Sequence, residues 1–170
     1  PVIPASGTFG FGKEYVDVYD INILGSISIK GTTVQRRKGN PQPRIAECYS
    51  GLINSVGLEN PGMENVIQKE LKDLEKIYRK PVIANISGFS VEEYVTLARE
   101  MDKVDNVGII EVNISCPNVD HGGLAFGTNA DNVRELTKKI KEVTTKPVYM
   151  KLSPNVTDIT EIARAAEEGG

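Results

Sequence analysis

The chain alternates strand-like and helix-like segments from residue 81 onward, and this alternation restricts its fold more than any other feature. Short Val/Ile-rich runs of the kind found in strands buried on both faces recur along the sequence. They are Val2–Pro4, Ser26–Lys30, Val82–Ile86, Ile109–Ile114 and Val148–Leu152. Segments with a 3.6-residue apolar period follow each of the last three runs. This order predicts a parallel sheet built from repeated βα units.

Each predicted helix begins at a recognisable N-terminal signal. Asn60-Pro61 has the pattern of an N-cap followed by a first-turn proline, and Ser90 and Asp158 each precede a glutamate by three residues, as in a capping box. A fourth helix is predicted to begin at Asn129. The predicted strands at Val82 and Val148 are both entered through Lys-Pro, which also suggests a repeated unit.

Repeated βα units have two common architectures, the open doubly wound sheet and the eight-stranded barrel. No G-x-G-x-x-G pattern follows the first predicted strand, so Rossmann-type dinucleotide binding is unsupported. A complete barrel needs about 250 residues, whereas this chain has 170 and stops where a βα-loop is expected. We therefore predict an α/β fold, a (β/α)8 TIM barrel of which residues 1–170 form roughly the first half, as one partial domain truncated at both ends.

Composition excludes several function classes. A net charge of -3 argues against a nucleic-acid surface, and no apolar run approaches the length of a membrane span. Two cysteines and an N-terminus without a secretion signal favour a reducing, cytoplasmic setting. Three N-x-S/T triplets begin at Asn85, Asn113 and Asn155. Two of them lie in or at apolar runs, where a glycan could not fit, so we interpret all three as chance.

Polar residues lie at the carboxyl ends of four predicted strands, namely Lys30, Asn85, Asn113 and Lys151. In a barrel these ends converge on the face that carries the active site. A single lysine here often only extends to solvent, but four groups at the same relative position favour a site. Ammonium and amide groups suit a flat heterocycle with an anionic substituent, such as a flavin or a pyrimidine. Only Glu111 adds a carboxylate, so no metal site is predicted.

Cys116 lies at the point where the fourth predicted strand opens into a glycine-bearing loop that extends to Gly127. It could act as a nucleophile or a base once nearby cations lower its pKa. No histidine partner is evident, since we expect His121 to be a solvated loop residue, and a base for a carbon-bound proton is the more consistent role. Cys48 is interpreted as an ordinary buried cysteine.

Six motifs in the same order resemble those of dihydroorotate dehydrogenases of the first class, especially the NAD-linked subtype. The resemblance covers essentially all 170 residues. The most specific motifs are N-x-S-C-P-N from Asn113 to Asn118 and N-x-x-G-L-x-N-P-G from Asn54 to Gly62. The others are P-A-S-G-T-F-G at 4–10, K-G-T-T at 30–33, G-N-P at 39–41 and K-L-S-P-N at 151–155.

The resemblance implies an FMN-dependent oxidation of dihydroorotate to orotate, a step of pyrimidine synthesis. Cys116 would remove the C5 proton while a hydride passes to the flavin, and a cysteine rather than a serine here supports the first class. Lys151 would stabilise the negative charge of the reduced flavin. The implied substrate-binding residues are Lys30, Asn54, Ser55, Val56, Gly57, Leu58, Asn113 and Asn118. The implied FMN-binding residues are Ser6, Lys30, Gly31, Asn85, Asn113 and Lys151.

The NAD-linked subtype further implies a partner subunit. That subunit would carry FAD and a [2Fe–2S] cluster, pass electrons to NAD⁺, and assemble with this chain into a heterotetramer. A fumarate-reducing homodimer is the nearest alternative, and a membrane-bound respiratory form is less favoured. Two other readings stay open: a Schiff-base aldolase that uses Lys151, and a non-catalytic barrel fragment.

Overall fold

The computed structural model describes residues 2–115 and 124–170. The strands are β1 (Ile45–Cys48), β2 (Gly51–Asn54), β3 (Val82–Ile86), β4 (Val107–Asn113) and β5 (Val148–Lys151). The α-helices are α1 (Met63–Asn65), α2 (Leu71–Ile77), α3 (Val91–Asp102), α4 (Leu124–Gly127), α5 (Ala130–Lys141) and α6 (Ile159–Glu168). A π-helical turn, Val66–Glu70, joins α1 to α2, and short 3₁₀ turns lie at Lys13–Tyr15 and Ile21–Ile23. The predicted strand–helix order from residue 81 onward is confirmed.

The three strands β3, β4 and β5 form a parallel sheet in that order. The run predicted at Ser26–Lys30 extends alongside β3 but makes only isolated parallel bridges, Ser28 to Ile83 and Thr32 to Ile86. The strand predicted at Val2–Pro4 does not form. Pro4 has no backbone N–H to donate, which removes one of the few bonds so short a strand could make. The result is a mixed α/β structure with a parallel sheet.

Strand β4 shows how the sheet divides its two faces. Ile110, Val112 and Ile114 are fully buried in the same core as the inward residues of α3, α5 and α6. Glu111 and Asn113 alternate with them and therefore point to the opposite face. The helices thus cover one face of the sheet, and the polar strand residues lie on the other.

The expectation that strands are buried on both faces holds for β3 but not for β5. All five residues of β3 are buried, whereas Tyr149 of β5 is 53% exposed. Strand β5 pairs with β4 on one side, and no other strand in the described ranges pairs with its second side. Tyr149 lies opposite Glu111 in the register and therefore on the face that the helices leave uncovered, which accounts for its exposure.

Polar side chains fasten the amino ends of the parallel strands to neighbouring loops. Lys80 Nζ donates to the carbonyl of Leu24 at 2.5 Å, and Lys146 Nζ donates to the carbonyls of Val104 and Val107 at 2.5 and 2.6 Å. Burial lowers the pKa of Lys146. The repeated Lys-Pro entry noted in the sequence therefore carries a repeated lysine-to-carbonyl contact.

The antiparallel hairpin formed by β1 and β2 was not predicted from the sequence. Its register, with Cys48 opposite Gly51, leaves a two-residue turn at Tyr49-Ser50 in which Ser50 adopts φ 91°. All eight strand residues are exposed. Cys48 is therefore a solvent-exposed free thiol, and the prediction that it is buried is wrong. The turn lacks the Asn-Gly or Asp-Gly pair that marks most such hairpins in a sequence.

Two other local predictions are corrected. The first long helix begins at Met63 after Gly62, and Asn60 is not its N-cap, because the Asn60 amide oxygen instead accepts from the backbone of Thr33 and Gly62. The predicted loop ending at Gly127 contains helix α4 over its last four residues. The signals at Ser90, Asn129 and Asp158 are confirmed, since each side chain accepts a hydrogen bond in the first turn of its helix.

None of the helices in the described ranges combines the length and the apolar composition that a membrane-spanning helix needs.

Candidate functional site

The candidate site lies at the carboxyl end of the parallel sheet, where three adjacent strands end in polar residues. Asn85 is the penultimate residue of β3, and Asn113 is the last residue of β4. Lys151 is the last residue of β5 and pairs with Asn113 in the register. Both amides are almost completely buried, with Asn85 1% and Asn113 7% exposed. Buried amides must find partners, and their partners define the site.

Asn113 is the centre of one group of side-chain hydrogen bonds. Its Oδ1 accepts from both the backbone N–H (3.2 Å) and the hydroxyl (2.9 Å) of Ser115, and its Nδ2 donates to Ser87 Oγ at 3.2 Å. The ammonium of Lys151 donates to the same Ser115 hydroxyl. The Tyr94 hydroxyl of α3 donates to the Asn113 carbonyl at 2.7 Å and holds the backbone from the helical side. Lys151 and Asn113 are therefore linked through one serine.

Asn85 belongs to a second group. Its Nδ2 donates to Glu111 Oε1 at 2.5 Å, and the same oxygen accepts from Ser28 Oγ at 3.3 Å. The register places Asn85 and Glu111 side by side on adjacent strands. Asn85 Oδ1 is buried and has no hydrogen-bond partner among the residues that the structure describes. A buried acceptor without a partner costs about 1–3 kcal/mol, so this atom requires an explanation.

Gly31 packs closely against that oxygen. A Cβ at this position would lie 2.8 Å from Asn85 Oδ1, 3.1 Å from Leu58 Cδ1 and 3.5 Å from Ser87 Oγ. Any side chain would therefore displace the amide or the leucine. The absence of a Cβ keeps the backbone close to these atoms, as glycine does where a backbone approaches a ligand.

Lys30 connects the N-terminal segment to the same end of the sheet. Its backbone N–H donates to the Gly10 carbonyl at 2.9 Å. Gly7 lies next to its ammonium, since a Cβ there would be 3.8 Å from Lys30 Nζ. Ser6 precedes this glycine in the same turn and is half-buried. The chain around Ser6 thus comes to Lys30, although the described contacts include none between the Ser6 side chain and the strand-end amides.

Within residues 2–115 and 124–170, the segment predicted to line the substrate pocket contacts the strand-end site through Leu58, which lies near Gly31. Asn54 and Ser55 are exposed, Val56 is half-buried and Gly57 is buried. Asn40 Nδ2 donates to the Ser55 carbonyl (2.9 Å) and hydroxyl (3.1 Å), which ties this segment to the 39–41 turn rather than to Asn113. Gly57 and Leu58 adopt φ 77° and 60°, and this left-handed pair turns the chain toward Gly31.

The remaining predicted residues lie outside the described residues. These are Cys116, Asn118 and His121. Ser115, which directly precedes Cys116, is bonded to Asn113 and Lys151. Gly127 packs so closely against the Ile114 carbonyl oxygen that a Cβ there would collide with it. The chain on both sides of residues 116–123 therefore lies at the carboxyl end of β4.

Sequence reasoning missed Ser87 and Ser115 and treated Glu111 only as an isolated carboxylate. The signal was present in the repeated triplet Asn-Ile-Ser, which occurs at 85–87 and at 113–115. Alternate residues of a strand share a face, so each serine lies on the side of its asparagine. The interpretation of these triplets as chance glycosylation sequons did not use this relation.

The site offers amide, hydroxyl and ammonium groups. Among the described residues, no three His, Cys, Asp or Glu side chains lie close enough to hold a metal ion. Two lysines supply positive charge, and the amides and serines supply donors and acceptors that can read the edge of a flat ring. The buried Asn85 Oδ1, which has no partner among the described residues, could accept a hydrogen bond from an N–H of such a ring.

Comparisons with known proteins agree with this geometry. The family model described as dihydroorotate dehydrogenase matches residues 1–170. A Bacillus cytotoxicus protein named "Dihydroorotate dehydrogenase B (NAD(+)), catalytic subunit" is 56% identical over 170 residues, which are 100% of this chain and 55% of that protein. Proteins of the same name from Bacillus cereus strain AH187 and Bacillus anthracis strain A0248 are each 55% identical, with the same coverage. The chain spans about half the length of the curated relatives it matches, and it belongs to the dihydroorotate dehydrogenase family.

Proposed function

We propose that the protein containing this chain oxidises dihydroorotate to orotate with FMN as its cofactor, in pyrimidine synthesis and in the cytoplasm. The single observation that carries the proposal is the buried Asn85 Oδ1, which has no partner among the described residues and lies beside Gly31. The family match and the names of the relatives support the same activity. We further propose that the parallel sheet is part of a (β/α)8 barrel, whose active site would lie at the carboxyl ends of its strands.

The residues at the strand ends fit the proposed cofactor. Asn85, Asn113 and Lys151 would hold FMN from β3, β4 and β5, with Gly31, Lys30 and Ser6 completing the set. Bound FMN would supply the hydride acceptor that no side chain can provide. Lys151 places a positive charge at this end of the sheet, which would favour a ligand that gains negative charge during the reaction.

The same rim would bind and orient the substrate. Lys30 and Asn113 would contact dihydroorotate, together with Asn118 and the segment of Asn54, Ser55, Val56, Gly57 and Leu58. Cys116 would take the proton from substrate carbon C5. It directly follows Ser115, whose hydroxyl is bonded to Asn113 and accepts from Lys151. This attachment anchors the residue that precedes the proposed base.

We propose that the electrons then leave through a partner subunit. The relatives are named as catalytic subunits of an NAD(+)-linked enzyme, and such a name implies another subunit. The partner would carry FAD and a [2Fe–2S] cluster, assemble with this chain into a heterotetramer and pass electrons to NAD⁺. Turnover with fumarate and no partner would instead support the homodimeric alternative.

The test is the visible absorption spectrum of the native polypeptide that carries these residues. We expect a flavin band that bleaches when dihydroorotate is added without oxygen. The Cys116→Ser variant should keep the band but bleach at least about 100-fold more slowly at neutral pH, because it lacks a readily ionised base. The matched control is Cys48→Ser, which changes the exposed thiol of the hairpin and should bleach at the wild-type rate. A colourless native protein, or a flavin that dihydroorotate does not reduce, would contradict the proposal.

A further inference from the structure

The buried side chain of Asn60 joins the segment that carries Lys30 and Gly31 to the turn at Leu58. Asn60 is 4% exposed. Its Oδ1 accepts from the backbone N–H of Thr33 at 3.2 Å and from that of Gly62 at 3.0 Å. Its Nδ2 donates to the Leu58 carbonyl at 2.8 Å and to the Thr33 hydroxyl at 2.9 Å.

The orientation of the Asn60 amide follows from these partners. A backbone N–H can only donate and a carbonyl can only accept, so Oδ1 faces the two N–H groups and Nδ2 faces Leu58. The Thr33 hydroxyl donates its proton to the Gln35 carbonyl at 2.5 Å rather than to Asn60 Oδ1 at 3.2 Å, because the shorter contact is the stronger. Its oxygen then accepts from Nδ2. The protein therefore uses all four hydrogen-bonding positions of the amide, and Asn60 has none to offer a ligand.

The turn that Asn60 holds has a backbone conformation that leucine rarely adopts. Leu58 has φ 60° and follows Gly57 with φ 77°. A residue other than glycine stays in this left-handed region only where its surroundings hold it there. Among the described residues, the Leu58 carbonyl accepts from Asn60 Nδ2. The Leu58 side chain packs toward Gly31, where a Cβ would lie 3.1 Å from Leu58 Cδ1.

We propose that Asn60 is a positioning residue for substrate binding. Its Nδ2 holds the Leu58 carbonyl and thereby keeps the turn beside Gly31 in the geometry that binds dihydroorotate. Asn60 acts through Leu58 and contacts neither the substrate nor FMN. The inference rests on the proposed function, in which residues 54–58 contact dihydroorotate.

The Asn60→Asp variant tests the donor alone. An aspartate can still accept from the backbone N–H groups of Thr33 and Gly62, but an ionised carboxylate has no proton to donate to Leu58. The backbone of residue 60 is held separately, because Asn60 and Arg37 exchange two backbone hydrogen bonds at 3.0 and 3.1 Å. The substitution therefore removes the two bonds of Nδ2 and leaves the others in place.

Anaerobic flavin reduction in the native polypeptide, measured over a range of dihydroorotate concentrations, gives the half-saturating concentration and the limiting rate separately. For Asn60→Asp we expect the half-saturating concentration to rise about tenfold and the limiting rate to stay within about twofold of the wild type. The turn would bind the substrate equally before and during the reaction, and loss of such binding changes only the first value. The amount of FMN bound per polypeptide should not change, because Thr33 still anchors the segment of Lys30 and Gly31.

Asn106→Asp is the matched control. Asn106 Nδ2 also donates to a leucine carbonyl, that of Leu71 at 2.9 Å, and Asn106 directly precedes β4 at the amino end of the sheet. The same substitution thus removes the same kind of bond at a distance from the site. Asn106→Asp should keep the wild-type half-saturating concentration and limiting rate. An equal rise of the half-saturating concentration in both variants would contradict the inference, because it would reflect a general loosening of the structure.

Thr33→Val provides a second test that does not depend on the folding of Asn60→Asp. Valine has nearly the shape of threonine but lacks the hydroxyl that accepts from Asn60 Nδ2, while the bond to Leu58 can still form. We expect the half-saturating concentration to rise about twofold to threefold, because one acceptor rather than two then orients Nδ2. If Asn60→Asp does not fold, an unchanged half-saturating concentration in Thr33→Val would overturn the inference.

The outcomes distinguish this inference from the function on which it rests. If dihydroorotate reduces the wild-type flavin and Asn60→Asp has the wild-type half-saturating concentration, the positioning role is wrong and the proposed function stands. A lower limiting rate or a loss of FMN at an unchanged half-saturating concentration would also overturn the positioning role. If dihydroorotate does not reduce the wild-type protein, both the proposed function and the inference are wrong.

Discussion

The two ends of the parallel sheet use the same residue types in different ways. At the amino end, Lys80 and Lys146 donate to backbone carbonyls of neighbouring loops. At the carboxyl end, Lys151 donates to a serine side chain, and Asn85 retains an acceptor without a partner among the described residues. At the amino end the lysines therefore serve the structure, whereas the carboxyl end keeps a polar atom that could bind a ligand.

The contrast between the two ends of the sheet distinguishes structural from functional polar groups in a chain of βα repeats. A lysine that closes on backbone carbonyls satisfies groups that every sequence has, so its role is stability. Two neighbouring groups of bonded side chains, one of Lys151, Ser115, Asn113 and Ser87 and the other of Ser28, Glu111 and Asn85, need several particular side chains at once. Such a network is hard to explain by stability alone when it leaves a buried acceptor free.

The largest expected difference between the two ends comes from replacing one lysine at each. Lys151→Met should lower the rate of dihydroorotate oxidation at least about 100-fold, because it removes the positive charge at the proposed flavin site. Lys146→Met should lower the free energy of unfolding by about 1–2 kcal/mol, because two backbone carbonyls lose their donor. Anaerobic flavin reduction and urea unfolding, each measured on both variants, check the pair.

The comparison of the two lysines requires that each substitution changes one property and leaves the other unchanged. Lys146→Met should keep the wild-type rate per bound flavin, and Lys151→Met should stay within about 0.5 kcal/mol of wild-type stability. If Lys151→Met lost stability but its flavin were reduced at the wild-type rate, the role of Lys151 would be structural, like that of Lys146.

A smaller and more local contrast comes from one glycine at each end. A Cβ on Gly31 would meet Asn85 Oδ1 at 2.8 Å, and a Cβ on Gly108 would meet the Pro81 Cβ at 2.7 Å. Gly31→Ala should weaken FMN about tenfold, because the free acceptor is displaced. Gly108→Ala should cost about 1–2 kcal/mol of stability and leave the FMN affinity unchanged.

Equal FMN affinities for wild type and Gly31→Ala would show that the Asn85 Oδ1 beside Gly31 is not part of the cofactor site. Fluorescence titration of flavin-free protein gives the affinities, and urea unfolding gives the stabilities. Both substitutions add one methyl group. Differences in FMN affinity or stability between the two variants therefore reflect the position of the glycine in the sheet rather than the size of the change.

Periodicity made much of the fold predictable. The strand–helix order from residue 81 could be predicted because apolar spacing is a strong signal over a whole element, and the Ser90 and Asp158 caps gave helix starts. The hairpin of β1 and β2 could not, because all eight of its strand residues are exposed and give no apolar alternation toward a core. The start at Asn60-Pro61 failed because Asn60 has tertiary partners that outweigh its capping preference.

The candidate site was predictable in position but not in its partners. Asn85, Asn113 and Lys151 could be predicted to lie at one edge of the sheet because each is near the carboxyl end of a strand and parallel strands end on the same side. The links through Ser87 and Ser115 depend on side-chain directions across neighbouring strands, which a linear pattern gives only once the register is known. The register puts Asn113 opposite Lys151 and Asn85 opposite Glu111.

The smallest expected effect concerns Asp102, which holds the loop before β5 at the amino end. Its Oδ1 accepts from Thr144 Oγ1 at 2.6 Å and from the Thr145 N–H at 2.8 Å. The Thr144 hydroxyl, followed by the backbone donors, lowers the pKa of Asp102 in the folded protein, although burial opposes the shift. The folded carboxyl thus binds a proton less readily than the unfolded one, so its stabilisation is complete above the ordinary aspartate pKa of about 3.9 and is lost as pH falls through the lower folded pKa.

Asp102→Asn should therefore reduce the free energy of unfolding by about 1 kcal/mol at pH 7, and the difference from wild type should shrink as the pH is lowered from about 5 toward 3. Urea unfolding across this range measures the difference directly. The FMN affinity at pH 7 should not change, because Asp102 lies at the end of the sheet remote from Asn85 and Lys151. A stability difference that stays constant with pH would show that the substitution acts by altered packing rather than by charge, and a change in FMN affinity would show that the two ends of the sheet are coupled.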